Sequence, residues 1–140
     1  MPLPDHLTLT IVTPDHAVVR REVDEVQAPG SEGSFGVLPG HTPFLASIQD
    51  GELWYRCGQD ISHVAVSFGF AEVLPDRVTI LADVAEPAET IDIHRAESAR
   101  ERARSRLDLP EPNLDFGRAR VALRKSLVRL EVAKLAKSKA

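Results

Sequence analysis

Asp92 and Arg95 stand three residues apart in the run Ile91-Asp92-Ile93-His94-Arg95-Ala96, and Lys125 and Arg129 stand four apart further along the chain. On a helix, spacings of three and four bring side chains to one face. Asp92 could then accept a hydrogen bond, while Arg95 offers its fork of N–H donors to an anion such as phosphate. Lys125 and Arg129 would add positive charge to the same pocket if the two segments fold together. A second reading is open on the residues alone: an Asp–Arg pair on a solvated helix, contributing about a few tenths of a kcal/mol.

Other chemistries are poorly served. In residues 31–45 Gly33, Gly36, Gly40, Pro39 and Pro43 surround His41. Glycine permits positive φ and proline fixes φ, so the stretch reads as a shaped connection between strands, carrying an exposed His. It is not a phosphate cradle, because no Lys-Ser/Thr follows and no helix begins behind it. His6, His16, His41, His63 and His94 are scattered without ligand spacing, and Cys57 is the only cysteine. That argues against a zinc site, excludes an internal disulfide and suits a reducing compartment. No nucleophile elbow is visible. Neither a signal peptide nor an apolar run of the ~20 residues that cross a bilayer is expected.

The charged residues divide the chain. Residues 1–90 hold fourteen acids and four bases, and residues 91–140 hold seven acids and thirteen bases. Hydrophobic periodicity changes at the same border. Residues 7–13 alternate apolar and polar, as a strand with one buried face does. Residues 18–19, 23–26, 52–56, 62–68, 70–74 and 78–81 read likewise, with Gly, Pro and Asp turns between them. The expectation is a β-sandwich or flattened barrel of about ten strands. Gly69 inside a strand marks a bulge or a close backbone approach. Trp54 and Tyr55 read as core and rim.

Beyond Pro87 the period is helical. Thr90 is the expected cap, with Asp92 in the first turn. Ala96, Ala99, Ala103 and Leu107 form a narrow stripe, and residues 108–113, with Pro110 and Pro112, break the helix. A second helix carries Phe116, Ala119, Leu123, Leu127 and Leu130 along one face. The fold class is therefore α+β: a sandwich domain, residues 1–86, followed by an antiparallel two-helix hairpin, residues 87–140. The hairpin's apolar seam is thin, which suits an element that docks weakly. Glu97 and Glu101 interrupt the arginines of the first helix, no aromatics interleave, and the pI is near 5.7. A duplex-binding module is not the reading.

Three segments resemble the epsilon subunits of F-type ATP synthases. Gly33-Ser34-Phe35-Gly36-Val37-Leu38-Pro39-Gly40-His41-Thr42-Pro43 is similar to their Gly-x-Phe/Leu-Gly-x-x-Pro-Gly-His-x-Pro segment. Phe68-Gly69-Phe70-Ala71-Glu72-Val73 is similar to their Gly-Phe-Ala-Glu-Val strand. Residues 91–96 resemble the Ile/Leu-Asp-x-x-Arg-Ala motif by which some bacterial members bind ATP. The resemblance implies a non-catalytic rotor subunit of a proton-driven rotary ATP synthase. It would join the gamma subunit and the c-ring, and its C-terminal helices would regulate hydrolysis by the alpha/beta head. It implies a peripheral place on the cytoplasmic face of the bacterial plasma membrane, reached only through partners, with no nucleic acid bound.

By the same resemblance Glu86, Ile91, Asp92, Arg95, Ala96, Lys125 and Arg129 are the nucleotide candidates, with ATP as a regulatory ligand and no cofactor required. Lys125 stands where nucleotide-binding members carry Arg, replacing a fork by a point charge. Glu32, Gly33, Phe35, Gly36 and His41 are candidates for the ring contact, although Ser34 stands where many members have an acid. Arg118, Arg120 and Arg124, with Lys125 and Arg129, give the second helix positive charge suited to acidic patches on the head. Two alternatives stand beside this reading: a free-standing ATP-sensing module, and a nucleic-acid or chaperone-like adaptor using the basic helices.

Overall fold

The computed structural model describes residues 2–109 and 111–137, Lys137 by its backbone alone. Pro110, expected to help break the helix, and residues 138–140 of the C-terminal region lie outside the described residues. The strands are β1 (Leu7–Val12), β2 (Ala17–Val23), β3 (Glu25–Gly30), β4 (Gly33–Val37), β5 (Phe44–Ile48), β6 (Gly51–Cys57), β7 (Asp60–Leu74) and β8 (Arg77–Pro87). A 3-10 turn (Ala88–Thr90) leads into α1 (Ile93–Asp108), and α2 (Phe116–Lys137) follows.

The strands form one eight-stranded sheet in the order β2-β1-β8-β7-β5-β3-β4, with β6 bridging β3 and β7. It folds over itself because β7 and β8 are long enough to serve both layers. Along one edge of β7, residues 69–73 pair with β5 and residues 60–66 pair with β6. The β7–β8 ladder is interrupted at Phe68, which has φ of 31°. That is a strained value for an aromatic residue. A Cβ on the adjacent Gly69 would collide with the Leu81 carbonyl, so only glycine lets the two strands close there.

Alternation sets the core. Leu7, Leu9 and Ile11 of β1 are fully buried and meet Val78 and Ile80 of β8, Ala71 and Val73 of β7, and Leu53 of β6. Each large aliphatic side chain so buried contributes roughly 1.5–3 kcal/mol. β1 runs parallel to β8, Thr8 opposite Arg77, which closes the first strand onto the last.

The sandwich and hairpin are as the sequence predicts, but the strand count is eight among the described residues, not about ten. Residues 62–68 and 70–74 are one strand, continuous through the irregularity at Phe68. Residues 33–37, read as connection, are a strand held extended by β3, with Gly36 opposite Gln27 and Phe35 opposite Ala28. The connection proper is residues 38–43. Thr90 does not cap α1: its hydroxyl donates to the Pro87 carbonyl at 2.8 Å within the 3-10 turn. Asp92 is the cap, its Oδ1 accepting the Arg95 N–H at 3.0 Å.

Asp24, between β2 and β3, clips three segments together. Its carboxylate accepts the Gly58 N–H at 2.7 Å and faces His6 Nδ1 at 3.0 Å, with Arg56 Nη1 3.8 Å away. The Gly58 bond first, then His6, holds its pKa below the ordinary aspartate range. Stability from this charge is complete above the unfolded-state pKa and fades as pH falls through the depressed folded-state value. Asp24→Asn should therefore unfold at lower urea concentration than the parent at neutral pH. The two midpoints should converge on acidification below the normal carboxylate range.

Candidate functional site

α2 lies on the outer side of β6 and β7, and α1 packs on α2. The junction is small. Ala65, Ala88, Ile91, Val132 and Ala133 are its buried residues, with Ile93, Val128 and Ala136 at the margin. Three of the five are alanines, so little apolar area is removed from water. In α1 the stripe expected from the sequence is the packed one, with Ala96 and Ala103 buried. In α2 the expected stripe is packed only in part, with Ala119 buried and Leu123 and Leu130 half-buried. Phe116 is 49% and Leu127 44% exposed, while Ala119, Ser126, Val132 and Ala133 face inward. The small residues win because they let α2 approach α1 and the sheet closely.

Where the hairpin leaves the sandwich, the two helices and strands β7 and β8 enclose a cleft of about 430 Å³. Ser67, Val84 and Glu86 come from the strands, Arg95 from α1, and Lys125 and Arg129 from α2. Arg129 donates Nη2–H to Glu86 Oε2 at 3.1 Å. Its Nε lies 2.8 Å from Oε1, an electrostatic contact whose N–H is aimed off the carboxylate. Both side chains are about three-quarters buried, so this pair is screened less than a surface one. Arg95 and Lys125 reach the cleft with no ion-pair partner among the described residues. No three His, Cys, Asp or Glu side chains converge among the described residues. The polar groups of the cleft are the cations Arg95, Lys125 and Arg129, the Glu86 carboxylate and the Ser67 and Ser126 hydroxyls, set in a wall of Ala and Val.

Of the seven nucleotide candidates, Glu86, Arg95, Lys125 and Arg129 share this cleft. The other three do not line it. Ile91 belongs to the apolar junction, Ala96 is buried beneath α1, and one oxygen of Asp92 is engaged by the Arg95 backbone. Ser67, mostly buried on the cleft wall, carried no signal in the sequence, since a serine in a strand is unremarkable until a helix is placed over it.

The five basic residues of α2 expected to act together, Arg118, Arg120, Arg124, Lys125 and Arg129, do not share one face. Arg118, Arg120 and Arg124 are exposed, whereas Lys125 and Arg129 turn toward the cleft. At the far end of the sandwich, Phe35 and Phe44 meet edge to face at 5.3 Å. Glu32, Gly33 and Gly36 are exposed beside them, and Leu45 is 75% exposed. His41 lies against Phe44, its Nδ1 2.6 Å from the Thr42 carbonyl. The Gly40 N–H donates to the Pro75 carbonyl at 2.8 Å, fixing the connection to the β7–β8 turn. Gly40 has φ of 87°, which glycine adopts at little cost.

Fold and cleft together define a two-part protein: a β-sandwich carrying a lightly docked helical hairpin with a cation-lined cleft at their junction. Residues 6–88 match the beta-sandwich domain of the ATP synthase delta/epsilon chain, and residues 89–134 match its long alpha-helix domain. The chain belongs to this family. It is 53% identical to the ATP synthase epsilon chain of Syntrophobacter fumaroxidans over 92% of its own length and 96% of that protein's. Identity to the epsilon chain of Nitratidesulfovibrio vulgaris is 50%, over 90% and 94%. A chain in the cryo-EM structure of the Euglena gracilis mitochondrial ATP synthase, comprising OSCP, F1 and c-ring, superposes with a TM-score of 0.81. It is 27% identical, with 96% of this chain and 84% of that one covered.

A junction this small should yield to one buried charge. Val132→Asp should raise amide exchange along α2 by at least about tenfold, given the cost of burying an unpaired carboxylate. The urea midpoint of the sandwich should stay unchanged.

Proposed function

We infer that this chain serves as the epsilon-type subunit of a proton-driven rotary ATP synthase. It is a non-catalytic central-stalk subunit whose partners are the gamma subunit, the c-ring and the alpha/beta head. The observation that carries this reading is the match of both modules, in order, to the family over nearly the whole chain. We assign attachment to the sandwich, residues 1–86, and regulation to residues 87–140. No helix among the described residues is long and apolar enough to cross a membrane. The proposed location is peripheral, at the cytoplasmic face of a bacterial plasma membrane, held there by partners.

The two faces of the sandwich support a division of labour. One is covered by the chain's own hairpin. On the other, Leu81 lies between Val12 of β1 and Phe70 of β7 in register, with Phe68 beside them. Phe70 is 57% and Leu81 53% exposed. This apolar band is the proposed seat for gamma. The connection around His41, with Glu32, Gly33, Phe35 and Gly36, is the proposed ring contact. Exposed Arg118, Arg120 and Arg124 are the proposed contacts with the head. ATP is the proposed ligand of the cleft, its phosphates taken by Arg95 and Lys125. Asp92, Ile91 and Ala96 act there through the helix start that presents Arg95.

Both halves can be tested. Phe70→Ser with Leu81→Ser should leave the isolated chain folded and abolish its co-purification with gamma. Retained assembly would reject the docking face. In calorimetric titrations, Arg95→Ala should weaken ATP binding by about one to two orders of magnitude, the loss of charge-assisted hydrogen bonds to phosphate. Arg100→Ala, whose Nε lies 3.3 Å from Glu101 on the surface, should change it little. Absence of binding by the unmutated chain at millimolar ATP would remove the nucleotide site and leave the stalk role standing.

A further inference from the structure

Glu52 and His63 stand at the border of the alanine junction. Glu52 of β6 and Ala65 of β7 are cross-strand neighbours, so they share the outer face on which Ala65 is buried with Val132 and Ala133 of α2. His63, two residues before Ala65, is on that face as well, opposite Trp54. Its Nδ1 lies 3.4 Å from Glu52 Oε1, with 15% of the histidine side chain and 31% of the glutamate exposed. Nδ1 itself is sealed from water and has no hydrogen-bond partner among the described residues. The other charged groups nearby are engaged or turned away. Glu86, across from Ala65 on β8, is held by Arg129, and Arg56 of β6 is held by Asp24 and Glu25. On α2, Val128, Val132, Ala133 and Ala136 face the junction, whereas Glu131 and Lys134 are exposed, as are Glu89 of the 3-10 turn and His94 of α1.

We propose that His63 and Glu52 are a proton-operated latch for the hairpin: a proton on His63 makes an ion pair with Glu52 that α2 shelters while docked and exposes on leaving. The latch takes the hairpin to be a movable element and depends on no ligand in the cleft. Histidine exchanges its proton between about pH 5 and 8, and a carboxylate is ionised over most of that range. Burial disfavours an imidazolium, and an adjacent carboxylate favours one. The geometry supports the second effect. Nδ1 has no other acceptor toward which to turn a proton, and Glu52 keeps enough contact with water to hold its charge. An uncharged ring with Nδ1 bare would set a lone pair against the carboxylate. With the hairpin away, water screens the pair and the attraction falls. Docking therefore takes up a proton. The hairpin is held more firmly near pH 6 than near pH 8, and its hold weakens as pH rises through the histidine range.

The test is amide hydrogen exchange on the full chain without ligand, read as protection factors so that the pH dependence of the exchange chemistry itself cancels. In the parent, α2 should be about threefold better protected near pH 6 than near pH 8, the effect of a partly sheltered ion pair. His63→Gln and Glu52→Gln should each abolish that difference, and His94→Gln should keep it. Amides of β1 and β8 should be unchanged throughout, showing that the sandwich is intact. Equal protection of α2 at the two pH values in the parent, or better protection near pH 8, would overturn the proposal. So would a difference that survives either Gln variant of the pair, or one that disappears with His94→Gln.

Discussion

One close backbone approach governs the architecture. Strands β7 and β8 belong to both layers of the sandwich, and they can do so only because residue 69 has no side chain to meet the Leu81 carbonyl. Phe68 takes a positive φ at that point, and its neighbours Phe70 and Leu81 face outward on one layer. Beyond the irregularity the other halves of β7 and β8 present Ala65, Ser67 and Glu86 to the helices. The same few residues therefore separate the apolar band from the hairpin's seat.

The hairpin is held by a different balance. Alanine at the contacts allows close approach but buries little area, so directional polar contacts weigh more in the junction than they do in the core. The sandwich core carries Leu, Ile and Val at near-complete burial and has no such sensitivity. Stability is thus distributed unevenly by residue size. The strands form a rigid body, and the helices occupy a position that modest free energies can shift.

The alternation of residues 7–12 and 77–82 was legible because each strand has one wet face and one dry face. Strands β4 and β5 were not, because Gly, Pro and Ser give no apolar period and the chain there is extended by pairing with neighbours. The cap was misplaced for a local reason. Thr90 has the right side chain, but the 3-10 turn uses its hydroxyl, and Asp92 takes the role. The inward face of α2 was concealed by its own leucines, since alanine contributes little to a hydrophobic period yet packs best at short range. In the cleft, the four-residue spacing put Lys125 and Arg129 on one face, and their meeting with Arg95 was expected only on condition that the two segments fold together. Ser67 and the Glu86–Arg129 bridge depend on how the hairpin sits over the sheet, which no local spacing encodes.

The parallel pairing of β1 with β8 has a consequence for biosynthesis. Thr8 leaves the ribosome well before its partner Arg77, which follows only after most of the sandwich has emerged. The first strand must therefore wait with one edge unsatisfied while the intervening hairpins assemble. Once β8 has emerged, every strand of the sheet is available to close it, and both helices lie later in the chain. The helical segment docks on the surface those strands complete, so its departure from that surface leaves the sheet intact.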